Sequence, residues 1–205
     1  MNKPNYILSA KQLKLIMNNV YPREVMILTN SLIDYSACFA YINKHENHFK
    51  EIEYRLFSSL NLIHIQITKL VIDNKNDNLS IGNILKAQDK NFLDHKTDEY
   101  RLLVEAFDKI CSIHSETLVS IKDFRTIFNA HLLLKETPAF KSKVDAILND
   151  EIKLFPFISL LFDFLILFFE YYDSNFKPFT FNQIIDITKR KSDELNLKTI
   201  DIYSI

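Results

Sequence analysis

Residues Phe155 to Phe169 read FPFISLLFDFLILFF, and whether this run spans a membrane or lies buried in a protein core decides the fold. It is shorter than the ~20 apolar residues that cross a bilayer. Pro156 stands near its start, Asp163 interrupts it and EYYDSN follows at once, so a charge at mid-depth would be costly to hold in lipid. The run therefore reads as the central helix of a folded domain, apolar nearly all round because neighbours cover most of its sides. One flank can equally serve an oligomer interface, since so wide an apolar surface buries as well against a second copy. No membrane association is expected.

Working outward, the flanking segments carry apolar residues three and four apart, the period of amphipathic helices. The chain has one glycine, Gly82, too few for a β fold that turns on hairpins. A short helix is expected around Ala10 to Asn19, with Pro22 starting a second and longer one, REVMILTNSLIDYSACFAYINKHE. Glu51 to Asp73 forms its antiparallel partner, closed by the turn-forming Asn74 to Asn78. Ser80 caps a short helix within LSIGNILKAQDKN, and a helix follows from Thr97 to Ser120. Ser120 and Asp123 have capping-box spacing, which starts a new helix that ends near Glu136, before Thr137-Pro138 begins the next. Thr180 caps the last helix, and KTIDIYSI alternates as an extended tail would. The expected fold is an all-α antiparallel helical bundle.

With 205 residues, 47% of them hydrophobic, the chain is long enough to bury a core as one domain. It divides into a short N-terminal helix (1–22), a bundle core (23–173) and a C-terminal helix and tail (174–205). Formal net charge is −1, so no global positive field draws the protein to nucleic acid or anionic lipid, and any RNA contact must use a local patch. The two cysteines, Cys38 and Cys111, lie far apart in apolar helical patterns, which suits free thiols rather than a disulfide framework. MNKPNYILSAKQLK has neither the apolar run nor the cleavage site of a signal peptide, and the cytoplasm is the expected compartment.

One stretch carries candidate chemistry: SIKDFRTIFNAHLLLK, Ser120 to Lys135. On a helix, Phe124, Ile127, Phe128 and His131 share the apolar stripe. Arg125 stands about 9 Å lower along the axis and about 120° round from His131, so the two do not touch within one straight helix, although both can converge on a phosphate. A histidine on an apolar stripe is also an ordinary core residue, its nitrogens bonded to a carbonyl or side chain. His45 and His48 are three apart, but no HExxH or cysteine pair accompanies them, and His64, His95 and His114 are isolated, each reading as a surface or satisfied-core histidine. Lys189 to Lys191 read as a solvated helix face, because Asp193 and Glu194 follow. No metal site and no cofactor is expected.

FRTIFNAHLLL fits the arginine, four to six residues, histidine signature of HEPN domains, with Arg125 and His131 on the fixed positions and Ala130 before the histidine. The order of features from Ile33 to Asp173, including ITKLVIDNKNDNLSIGNILK ahead of the Arg-His helix, resembles HEPN-like proteins of the abortive-infection AbiU type. This resemblance implies a bundle that dimerises through helices near the motif, and a metal-independent toxin or phage-defence endoribonuclease. Arg125 would clamp phosphate oxygens and stabilise charge on phosphorus. His131 would act as general base or acid, or as a cation, while Asn129 and Thr126 would contact the RNA substrate. Many active members have Asn, Asp or His directly after the arginine, where this chain has Thr126, then Ile127 and Phe128. The same fold also serves as a noncatalytic interaction module, such as an antitoxin, a partner-binding or a nucleotide-binding protein, and that reading stays open.

Overall fold

Ser9 opens the first helix through a capping box, its hydroxyl accepting the Gln12 N–H while the Gln12 side chain accepts the Ser9 N–H. From there the computed structural model describes residues 8–44, 49–72, 80–87, 97–131 and 151–203, with the backbone alone at 44, 49–51, 53, 97, 125–131, 151–152 and 196–203. Every regular element among these residues is helical: α1 (Ala10–Leu15), a π-helical turn (Ile16–Val20), α2 (Tyr21–Lys44), α3 (Phe49–Val71), α4 (Ile81–Lys86), α5 (Thr97–Ile113), α6 (Ser115–His131), α7 (Glu151–Tyr171) and α8 (Phe181–Tyr203).

α1, the π turn and α2 form one unbroken rod, against the expected stop before Pro22. Proline has no N–H to return to the preceding turn, and the chain absorbs it by widening that turn. The Tyr21 N–H reaches back to the Ile16 carbonyl, and the Ser174 hydroxyl, arriving from beyond α7, donates to the buried Met17 carbonyl at 2.9 Å. The Asn18 Oδ1 accepts the Asn175 N–H at 3.1 Å. A polar brace thus replaces what Pro22 withholds.

α2 and α3 pack most extensively, and ion pairs show that they run antiparallel: Glu24 meets Lys69 at 3.3 Å and Asp34 meets Arg55 at 3.0 Å. α8 lies along α2, tied by Lys191 to the same Asp34 carboxylate, α6 lies on α3, and α5 lies on α7. Lys191 therefore belongs to a cross-helix triad, whereas Lys189 and Arg190 are exposed as the solvated-face reading expects.

α7 is the core helix that its sequence announces. Phe157, Ile158, Leu161, Phe162, Leu165 and Phe168 are wholly covered. Its rings meet Tyr21 (Phe168, 5.5 Å) and Tyr35 (Phe155, 6.3 Å) of α2 and Phe107 (Phe164, 5.3 Å) of α5, reaching two neighbouring helices. One line stays open: Leu160, Asp163, Leu167 and Glu170, spaced three and four apart, face solvent. That outward line explains how Asp163 is tolerated in an otherwise apolar helix. α1–α2 (Ala10–Asn43) and α7 (Lys153–Tyr171) are long and apolar enough to cross a membrane, and 56% of each apolar window is buried inside the fold.

α7 ends where Asp173 takes a left-handed φ of 50°. The Ser174 N–H then bonds the Phe169 carbonyl and the Asp173 N–H the Glu170 carbonyl, the paired bonds of a Schellman stop. Thr180 caps α8 in a box with Gln183 and Ser80 caps α4, both as expected. Two expectations fail. The chain bends at His114 and not at Ser120, which lies inside α6; the His114 and Leu118 backbone bonds carry on across the bend, so no cap is needed there. The segment expected as an extended tail continues α8 to Tyr203. The expected helix end at Glu136 and the Thr137-Pro138 start lie outside the described residues.

Candidate functional site

α6 carries all four residues singled out for chemistry, Arg125, Thr126, Asn129 and His131. Its first half is set by packing: Thr117, Ile121 and Phe124, spaced four and three apart, are buried against the bundle. Phe124 lies flat on His64 of α3, ring centroids 4.2 Å apart. His64 is 3% exposed, and its Nδ1 meets the Leu60 carbonyl at 2.8 Å. A carbonyl only accepts, so Nδ1 carries the hydrogen. Burial pushes the His64 pKa down, outweighing the Leu60 bond that favours the charged form, and the ring is held neutral. His64 is thus a satisfied core histidine. His114, half-buried, meets Phe157 edge-on at 5.5 Å.

The second half of α6 continues the same helical backbone to His131, while the side chains of residues 125–131 lie outside the described set. Backbone register alone relates the four positions. Position 131 is seven residues on from Phe124 and so within about 20° of its helical face. Position 125 is three residues on from Lys122 and seven from Leu118, on the flank of the helix that turns toward α4 and α5. Positions 126 and 129 follow the exposed Val119 and Lys122. Arg125 and His131 share one helix, and the register sets them on different flanks. His45, His48 and His95 lie outside the described residues, and no group of three metal-ligating side chains occurs among the described ones.

Sequence reasoning passed over the cavity on that Leu118–Lys122 flank. It measures about 400 Å³ and is walled by the end of α3 (Val71, Ile72), α4 (Gly82, Leu85, Lys86), α5 (Tyr100, Val104, Phe107, Asp108, Cys111) and α6 (Leu118, Val119, Lys122). The Tyr100 hydroxyl donates to the Leu85 carbonyl at 2.7 Å, which fixes one wall. Burial, with the Asp108 charge adding to it, keeps that phenol protonated. Gly82 is buried inside α4 and has no positive φ. Its backbone therefore does not call for glycine, which costs a helix ~1 kcal/mol relative to alanine. What its missing side chain does provide is room in the cavity wall. The sequence signal was a lone glycine in SIGNIL, inside a helical pattern.

A second hollow, about 520 Å³, opens between α5 and α7 at Glu99, Leu102, Leu103, Leu167, Glu170 and Tyr171. Burial, with Tyr100 and Glu99 nearby, pushes the Tyr171 phenol up to about 12. Its two carboxylates make this side unsuited to a phosphate backbone. No known protein family, curated protein or solved structure matches the chain.

Proposed function

We propose that the protein is a metal-independent endoribonuclease of the toxin or phage-defence type, acting in the cytoplasm as a homodimer, in which Arg125 and His131 promote attack of a ribose 2′-hydroxyl on the adjacent phosphate. The observation that supports this reading is that the whole Arg-His motif falls on one helix, α6, whose first half is anchored on α3 in an all-α bundle. Arg125 supplies the planar fork that clamps phosphate oxygens. His131 supplies a group that titrates near neutrality and moves the proton. Thr126 and Asn129 follow the register of the exposed Val119 and Lys122 and would contact the ribose or phosphate. DNA lacks the attacking hydroxyl, so RNA is the substrate class.

A second reading, the noncatalytic interaction module with a cognate antitoxin or other partner, is favoured by one observation: position 131 is in register with the buried Phe124. The test is incubation of purified protein with total RNA and a labelled single strand in EDTA, beside Arg125→Ala and His131→Ala. Cleavage leaving cyclic phosphate ends, lost in both folded variants, is the expected result. Intact RNA from the folded wild-type protein across a substrate panel would overturn the nuclease reading and leave the interaction module.

A further inference from the structure

Leu102 and Ile113 of α5 and Leu160 and Leu167 of α7 are between 39% and 61% exposed, four of the ten large apolar side chains that the described residues leave open. The two helices lie side by side and antiparallel, with Tyr100 against Tyr171, Phe107 against Phe164 and, just past the end of α5, His114 against Phe157. Leu102 and Leu167 line one hollow, about 520 Å³, and Ile113 stands at the end of α5 that runs beside Leu160. Eleven residues separate Leu102 from Ile113 and seven separate Leu160 from Leu167, so each pair keeps to one side of its helix within about 20°. The two helices thus leave an apolar groove open along their shared outer face.

We propose that this α5–α7 face is the docking surface for a partner protein that presents an amphipathic helix with leucine-like anchors and lysine or arginine on its flanks. Leu160 and Leu167 are two turns apart, about 10.5 Å along the axis, which is the interval between i and i+7 anchors on an incoming helix. Charge chooses the flanks. Asp163 stands between the two leucines and Glu170 follows Leu167; both carboxylates are exposed and neither is ion-paired among the described residues. Glu99 adds a third at the hollow, against Lys109, seven residues on from Leu102. The four apolar side chains, Asp163 and Glu170 stand inside their helices, at least five residues along the chain from the nearest undescribed side chain. Cations on a docked helix meet these carboxylates, and such pairs select and orient a partner more than they hold it. A second copy of the chain would instead bring like charges together along the same apolar line. The face is separate from the Arg-His motif and stands whether or not the protein cleaves RNA.

The experiment titrates the whole chain against three labelled peptides, each about five helical turns long, and follows fluorescence anisotropy. The first carries leucines three, four and seven apart with lysines on both flanks. The second replaces those lysines by glutamates, and the third keeps the composition of the first but spreads its leucines round the helix. The first is expected to bind with a Kd of about 0.1 mM or tighter. The other two are expected to bind at least tenfold more weakly.

Leu102→Gln with Leu167→Gln is expected to weaken the first peptide at least tenfold without lowering the melting temperature, because both positions are exposed and glutamine matches leucine in helix propensity. Asp163→Lys with Glu170→Lys is expected to reverse the choice, so that the glutamate peptide binds at least fivefold more tightly than the lysine one. The proposal is overturned if the lysine peptide does not bind, if either control peptide binds as tightly, or if the leucine substitutions leave the affinity intact. Sedimentation of the same variants reads the other occupant: a dimer that Leu102→Gln with Leu167→Gln splits would assign the face to a second copy and overturn the proposal as well.

Discussion

α3 is shared by two unlike interfaces. Toward α2 it is closed by wholly covered side chains such as Leu28, Leu60, Ile63 and Ile67, and stitched at the rim by Glu24–Lys69 and the Asp34–Arg55–Lys191 triad. Toward α6 it meets the protein through the His64–Phe124 stack, and beyond its end the cavity opens. The first interface is made to stay shut, while the second keeps space and titratable groups beside the helix that carries Arg125 and His131. One helix thus has a closed face and an end that borders open space.

The largest effect that tests this contrast is a pair of truncations. Leu28→Ala empties a fully packed position, and the cost is expected near ~4 kcal/mol, because leucine truncations in rigid cores reach the upper part of their range. Leu118→Ala borders existing space and removes fewer contacts, so ~1–2 kcal/mol is expected. Urea unfolding of both variants measures the difference. Equal costs would mean that the two sides of α3 are packed alike.

Next in size is Ser174→Ala. The hydroxyl caps the buried Met17 carbonyl at 2.9 Å and accepts the Phe176 N–H at 3.2 Å. Removing it strands a buried acceptor, with an expected cost of ~1–3 kcal/mol. The same denaturant midpoint reads it, and a loss within error would show that the Pro22 turn does not depend on this brace.

Ser174 also shows what the sequence could and could not tell. The Ser80 and Thr180 caps were readable because a cap and its N–H lie three residues apart. The α7 core was readable from its unbroken apolar run, and the shared helix of Arg125 and His131 from spacing alone. The rule that stops a helix before Pro22 failed because the repair comes from a residue 157 positions away in the case of the Asn18–Asn175 bond, a distance that no local pattern spans. The bend at His114 was hidden for the opposite reason: backbone bonds continue through it, so neither glycine nor proline marks it. His64 read as either a surface or a satisfied-core histidine, and only tertiary folding decides for the core and lays it on Phe124. The cavity left one trace, a glycine where a helix would prefer any other residue but proline.

Acid separates the two interfaces in time. Burial lowers the His64 pKa from 6.5 in the folded state, so above that value the ring is neutral in both states and its effect on stability is nil. As pH falls below 6.5, the unfolded chain takes the proton first, and stability drops by up to ~1.4 kcal/mol per pH unit until the folded ring also protonates. The α3–α6 side is thus the one that weakens in mild acid. Unfolding midpoints between pH 7.5 and pH 5 measure the slope as ~1 kcal/mol or less over the first unit, and His64→Leu is expected to flatten it. An unchanged slope in that variant would assign the acid sensitivity elsewhere.

The smallest effect belongs to the tight side. Burial works to raise the Asp34 pKa, but hydrogen bonds and charge from Lys191 and Arg55 outweigh it and hold the carboxyl below 3.8. Its contribution is complete above 3.8 and is lost as pH falls through the lower folded value. The triad is part-exposed, at 30% for Asp34, 34% for Lys191 and 46% for Arg55, so solvent screening limits Asp34→Asn to a loss of about 1 kcal/mol. Half-molar salt is expected to shrink that loss further, since its Debye length is shorter than at physiological strength. Unfolding at pH 7 in low and high salt, wild type beside Asp34→Asn, reads both numbers. A loss as large as that of Leu28→Ala would make the triad, rather than the covered leucines and isoleucines, the main hold between α2 and α3.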